Sequence, residues 1–210
     1  EVFWYGCPHC YNFEAYVKKW LETKPSYVNF IRIPAVWNPR LKMHARAFYT
    51  AQVLGKGDAM HDAFFKEIHV NQNLLDTEDK LAEFFGRFGV DKAAFEKTFN
   101  SYAVQEKMQR ADELNRRYRI MNVPSMVVNG KYMTNGAMAG SYQGMLDLVD
   151  ELVASEHIGE EGDTDSAKRT GKTETTSATK TSETPAADAA PAATPPVSAT
   201  PAPTAEEAGR

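Results

Sequence analysis

The sequence predicts an α/β domain in which two β-containing stretches flank a long helical block, followed by a disordered tail. Three observations carry this prediction. A short aromatic and β-branched run opens the chain, and helical periodicity and a second β run follow it. Residues 39–120 show helix caps, helix stops and many phenylalanines with no strand pattern. Near residue 129 an Asn-Gly pair separates two further β runs and leads into a last amphipathic helix.

"EVFWY" is apolar apart from Glu1 and reads as a buried strand ending at Gly6. Phe13, Tyr16, Val17, Trp20 and Leu21 then fall on one helical face. Pro8 suits the first turn of that helix, where its missing N–H would have no intrahelical partner. "YVNFIRI" returns as a strand, stopped by Pro34. The three segments make a βαβ unit with "CPHC" where strand meets helix.

Cys7 and Cys10, the two cysteines of the chain, both sit in that turn. A structural disulfide gains most by closing a long loop, and this pair closes almost none. The pair therefore binds something or reacts. Structural zinc wants four ligands, whereas one cysteine pair stands here with His9 inside it and His44, His61, His69 and His157 scattered. No metal is expected. Haem attachment wants a histidine directly after the second cysteine, where Tyr11 stands. Two inert buried thiols are a further alternative. A redox dithiol suits a βαβ turn best. Cys7 would then sit at the helix N-terminus, where free N–H groups and the helix dipole favour a thiolate. Cys10, one turn further in, would act as the resolving thiol. His9 would add a positive charge or a hydrogen bond beside the Cys7 sulfur.

The helical block reads as five segments. "PRLKMHARAFYTAQVLG" stops at Gly55, and "DAMHDAFFKEIHV" follows. "DTEDKLAEFFGRFG" has Asp76 or Thr77 as cap and Gly89 as stop. "DKAAFEKTFN" starts at Asp91, and "SYAVQEKMQRADELNRRYRI" is longer. Phe64, Phe65, Phe84, Phe85, Phe88, Phe95 and Phe99 supply a core for this subdomain. "VPSMVVNGKYM" is a hairpin around Asn129–Gly130. "SYQGMLDLVDELVASE" closes the domain as a helix capped by Ser141, with Met145, Val149, Leu152 and Val153 on one face. Met133, Met138 and Met145 suit either promiscuous binding or packing.

Residues 159–210 contain no aromatic residue and one branched aliphatic, Val197. Such a segment buries too little apolar area to offset the entropy of ordering it, so an Ala/Pro/Thr-rich disordered tail is expected behind a domain at 1–158. Of 24 Lys+Arg and 28 Asp+Glu, the tail takes 5 and 9. The balanced remainder shows no nucleic-acid footprint. No run approaches the length of a membrane-spanning helix. The chain begins inside a strand, as a mature or clipped chain would.

"FWYGCPHCYNFE", "NVPSMVVNGKYM" and the helical block between them resemble the DsbA-type periplasmic thiol:disulfide oxidoreductases, over about residues 1–155. The resemblance implies a thioredoxin-like fold with a helical insertion at about 40–118, and a redox-active Cys7–Cys10 disulfide. It implies that Pro124 is a cis-proline, which Val123–Pro124 alone does not indicate. The Val123 backbone would pair with an extended substrate segment. Glu1 matches a buried acid that modulates the active-site protons. Arg32 falls where the family often has a lysine, and arginine cannot shuttle protons as lysine can. The family has a further strand before the segment that opens this sequence, so a clipped chain is expected.

The resemblance also implies the partners. These are unfolded or partly folded secreted proteins with free thiols, and a quinone-linked membrane protein of the DsbB type that reoxidises the pair without an aqueous cofactor. A monomer in the periplasm is expected. The same fold can oxidise, reduce or isomerise. Oxidation is favoured if the Cys7 thiolate is strongly stabilised. A DsbA-like thiol pKa of about 3.5 requires roughly 7 kcal/mol, of which the helix terminus gives at most about 2. Pro8, His9 and hydrogen bonds in the turn must supply the rest. The alternatives are a disulfide isomerase or reductase, and a non-catalytic peptide-binding chaperone module with an inert "CPHC".

Overall fold

The computed structural model describes the backbone of residues 1–170 and the side chains of residues 1–158. Strand β1 (Val2–Phe3) leads into helix α1 (Pro8–Thr23) and strand β2 (Ile33–Pro34). Five helices follow: α2 (Pro39–Val53), α3 (Gly57–His69), α4 (Glu78–Gly86), α5 (Lys92–Phe99) and α6 (Tyr102–Arg117). The chain returns through β3 (Ser125–Val128), β4 (Tyr132–Asn135), α7 (Gly136–Ala139) and α8 (Tyr142–Thr170). This is the thioredoxin-like order with a helical insertion.

The sheet has the order β2-β1-β3-β4. β1 runs parallel to β2 with Val2 opposite Ile33, and antiparallel to β3 with Val2 opposite Ser125. Both β1 and β2 differ from the sequence reading. β1 is two residues long because the chain turns at once, with Cys7 N–H donating to Trp4 O at 3.0 Å. β2 is confined to Ile33–Pro34, since a ladder reaches only as far as its partner. Pro34 belongs to β2 and is its last residue. Ile33 and Ala35 donate to Glu1 O and Phe3 O, so the missing N–H of Pro34 faces the open edge, where proline is tolerated.

Local chemistry sets the helix starts. Asn38, Thr77, Asp91 and Ser101 each accept an N–H three residues on, capping α2, α4, α5 and α6. Asn129 and Gly130 both have positive φ, 48° and 68°, and Lys131 N–H closes the hairpin onto Val128 O. The short α7, capped by Asn135, has no counterpart in the sequence reading. α8 begins after Ser141 as expected but continues past residue 158 to Thr170. Single glycines such as Gly159 and Gly162 cost a helix about 1 kcal/mol each without forbidding it. The rest of the expected tail, 171–210, lies outside the described residues.

Two cores meet at α1. One joins Phe3, Tyr5, Cys7 and Cys10 to the phenylalanines of the helical block. The other packs Phe13, Val17 and Trp20 against Met126, Met145 and Val149. Phe88 alone of the seven phenylalanines is only half-buried. The methionines divide: Met145 is fully buried, while Met133 and Met138 are exposed.

Candidate active site

Cys7 is the N-cap of α1 and Pro8 its first residue, so the turn places one sulfur at the helix end and the other a turn inside. Both cysteines are free thiols. Cys7 keeps a 7% exposed edge and Cys10 none. The Cys7 thiol is lowered to about 6. The hydrogen bond from the Cys10 thiol is the largest cause, and burial opposes it; the N–H groups of Cys10 and His9 and the charge of His9 add to the lowering. Cys10 is pushed far up, first by burial and then by the neighbouring Cys7 sulfur. One thiol is prepared to be a thiolate, the other to hold its proton.

His9 is exposed, and its Nδ1 lies 3.2 Å from the Tyr142 hydroxyl at the start of α8. Its charge is the smallest of the influences on Cys7, behind the hydrogen bonds of the turn. On the other side, the Cys7 thiol donates to Val123 O at 3.6 Å, and the Val123–Pro124 peptide bond is cis. A cavity of about 480 Å³ opens beside the sulfur, lined by Trp4, Cys7, Trp37, Arg40, Asn122 and Val123 among others. A larger cavity of about 910 Å³ runs along residues 27–33 and is lined by neither cysteine. The sulfur chemistry belongs to the smaller one.

Trp4 builds the floor of this region. Its Nε1–H donates to His44 Nδ1 at 3.0 Å, and His44 Nε2 meets Leu74 O at 2.9 Å, which fixes a neutral tautomer. Burial lowers the His44 pKa and favours the same form. Gly6 lets the indole lie flat against the turn: a Cβ there would stand 2.3 Å from Trp4 Cζ2.

Beneath the cysteines lies a buried polar chain. Arg32 donates through Nε to Glu1 Oε2 at 3.2 Å and through Nη2 to Glu14 Oε2 at 3.0 Å. Glu14 Oε1 is 3.0 Å from His61 Nε2, and His61 Nδ1 is 3.0 Å from the Tyr5 hydroxyl. Burial raises the Glu1 carboxyl and the charge of Glu14 adds to this, while the N-terminal ammonium, Arg32 and His61 only partly offset it. Burial works on Glu14 the same way, but the His61 hydrogen bond and the charges of His61 and Arg32 outweigh it and hold Glu14 low. Arg32 is thus a shared cation between one carboxylate and one carboxyl inclined to protonate.

Glu14, His61 and Tyr5 escaped the sequence reading, as did Tyr142. Glu14 alone left a signal, since Cys10, Glu14 and Val17 stand at i, i+4 and i+7 on the buried side of α1. Among the described residues, no group of three or more Cys, His, Asp or Glu is arranged to hold a metal ion.

A family model described as a DSBA-like thioredoxin domain matches residues 29–141. Thiol:disulfide interchange protein DsbA of Pseudomonas aeruginosa is 40% identical over 156 residues, covering 74% of this chain and 74% of that protein. A crystal structure of P. aeruginosa DsbA superimposes with a TM-score of 0.72 at 38% identity, over 77% of this chain and 84% of that one. A cysteine-to-serine variant of Proteus mirabilis DsbA, with a non-covalently bound peptide PWATCDS, gives a TM-score of 0.62 at 24% identity, over 73% and 87%.

Proposed function

This chain belongs to the family of DsbA-like thioredoxin-domain proteins, which makes it a protein disulfide oxidoreductase, and on that premise we propose that it works as an oxidase donating a Cys7–Cys10 disulfide to exported proteins. The observation that carries this reading is the placement of the two sulfurs: Cys7 at the start of α1, with the N–H groups of His9 and Cys10 favouring its thiolate, and Cys10 a turn inside with no exposed surface. A thiol that ionises easily is a good leaving group and, once reduced, is stable as the thiolate. The reduced enzyme is then favoured, and the oxidised enzyme gives its disulfide away.

The reaction proceeds in two displacements. A substrate thiolate attacks Cys7 sulfur, forming a mixed disulfide and expelling Cys10. Cys10 takes up a proton, as its raised pKa requires. The substrate's second thiolate then attacks the substrate sulfur of the mixed disulfide and releases Cys7 as a thiolate. Two electrons pass from substrate to enzyme, and the substrate keeps the disulfide. Glu1, whose carboxyl is inclined to protonate and whose charge reaches Cys10, is the nearby acid that modulates this proton uptake. Arg32 keeps that acid paired without shuttling a proton itself.

The substrate lies extended along Val123, its cysteine against Cys7, with adjoining side chains in the 480 Å³ cavity. The P. mirabilis protein binds a peptide that contains a cysteine. A quinone-linked membrane protein of the DsbB type is the expected electron acceptor and the periplasm the expected compartment. No helix among the described residues is long and apolar enough to cross a membrane. The test is equilibration of the dithiol with a glutathione series. A potential near about −120 mV is expected, and one near about −270 mV would make the protein a reductant.

A further inference from the structure

An exposed histidine at a helix start is ordinarily free to change rotamer, and a mobile ring is a poor electrostatic partner for a fixed sulfur. His9 has one hydrogen-bond partner among the described residues, the Tyr142 hydroxyl at 3.2 Å. That tyrosine comes from a helix 133 residues further along the chain and is itself held firmly. Its ring packs on Phe13 with centroids 5.5 Å apart and meets Tyr16 edge-on at 5.6 Å. His9, Phe13 and Tyr16 stand at i, i+4 and i+7 of α1, so the phenol lies along one stripe of the helix that carries the cysteines.

The backbone around Tyr142 is equally specific. Gly140, at φ 76°, turns α7 into α8 in a left-handed conformation. Ser141 Oγ accepts Gly144 N–H at 2.9 Å and caps the first turn. Gly144 lets that turn approach α7, since a Cβ there would stand 2.8 Å from Ala139 O. These features fix the first residue of α8 over the α1 stripe.

We propose that Tyr142 is a positioning residue of this enzyme: its hydroxyl oxygen accepts the Nδ1–H of His9 and holds the imidazole at the mouth of the Cys7–Cys10 turn. The inference rests on the role given to His9 above. Held there, the ring keeps the charge that favours the Cys7 thiolate close to the sulfur. The phenol is favoured as a neutral acceptor, because burial and the charges of Cys7 and Cys10 raise its pKa. Tyr142 therefore acts on the sulfur through His9.

The test compares the unmutated protein, Tyr142→Phe, His9→Ala and the double variant. Thiolate absorbance against pH gives the Cys7 midpoint, and equilibration with glutathione gives the oxidising strength. Tyr142→Phe keeps the ring contacts and removes one hydrogen bond, so it should weaken oxidation about threefold to tenfold and raise the midpoint accordingly. In the His9→Ala background the same change should do nothing, a non-additivity that a merely structural role would not produce. An equal shift with and without His9 overturns the inference. A midpoint that moves in His9→Ala but not in Tyr142→Phe overturns it alone; one that does not move in His9→Ala overturns the role of His9 beneath it. Should Tyr142→Phe fail to fold, ¹⁵N spectra of the His9 ring in the unmutated reduced protein decide. A protonated, hydrogen-bonded Nδ1 supports the inference, and an unprotonated Nδ1 overturns it.

Discussion

The Cys7 thiol donates to the carbonyl oxygen of Val123 at 3.6 Å, linking the start of α1 to the loop before β3 across a sequence separation of 116 residues. On the proposed mechanism, the contact puts the sulfur to be attacked and a backbone acceptor for an extended peptide in one place. A substrate strand laid on Val123 brings its own cysteine to Cys7 and away from the fully buried Cys10.

Cys10→Ser should therefore accumulate mixed disulfides between Cys7 and substrate proteins, because the resolving thiol is gone. Cys7→Ser should accumulate none. Each variant is first converted at its remaining cysteine to the mixed disulfide with glutathione and then exposed to a reduced, unfolded protein with one cysteine, whose thiolate displaces glutathione as a thiolate; non-reducing electrophoresis reads the adduct. Adducts through Cys10 would mean that the site admits substrate from a direction the cavity does not provide.

The pH dependence follows from the same pair. Cys7 ionises near 6 in the folded dithiol and near about 8.5 when unfolded, so unfolding takes up a proton between these values. The reduced protein should gain stability as pH rises from about 6 to about 8.5 and lose that contribution as pH falls through 6. Cys10, raised in the fold, opposes this only above about 8.5, where its unfolded thiol ionises. The oxidised protein has no thiol to titrate. Urea unfolding of both forms at about pH 5.5, 7 and 8 should show a reduced-minus-oxidised difference that grows with pH. A constant difference would sink the assignment of the low pKa to Cys7.

Arg32→Ala should leave Glu1 and Glu14 buried together without their shared cation. Loss of one partner from a buried ion pair costs about 3–5 kcal/mol, readable as a lower urea midpoint. Arg32→Lys should recover part of the loss, because a single ammonium cannot fork between two carboxyls as Arg32 does. A loss below about 1 kcal/mol in Arg32→Ala would show that the network behaves like a solvated surface pair.

Gly6→Ala should be expensive although the position looks permissive. The new Cβ would force the indole of Trp4 off its bond to His44, and overpacking of this kind costs about 1–3 kcal/mol. Thermal unfolding and the Cys7 alkylation rate should both change. A variant with native stability would mean that Trp4 can move aside freely.

What the sequence made legible was chemistry local in the chain. The helix starts at Thr77, Asp91 and Ser101, the turn at Asn129–Gly130 and the helix start at Pro8 each act within four residues, and each appears where its residues stand, with Thr77 and not Asp76 as the cap of α4. The Cys7–Cys10 turn is local in the same sense. The extent of β1 and β2 was not legible, because it depends on a neighbour elsewhere in the chain. Nor were the pairings Trp4–His44, Glu14–His61 and His9–Tyr142, whose members stand 40, 47 and 133 residues apart. A single His or Tyr carries no mark of its partner until the helices are packed.

The meeting of two cores at α1 has a consequence for how the molecule comes apart. Cys10 is embedded in one core, while Phe13, Val17 and Trp20 of the same helix are embedded in the other. α1 cannot leave without opening both cores. The helix bearing the reactive turn is therefore the cooperative hub of the domain. Its inner amides belong to the class that exchanges with solvent only through global opening. On the proposed chemistry, electrons that arrive at Cys7 and Cys10 should be felt by the domain as a whole: the free-energy difference between dithiol and disulfide would also be a difference in resistance to unfolding.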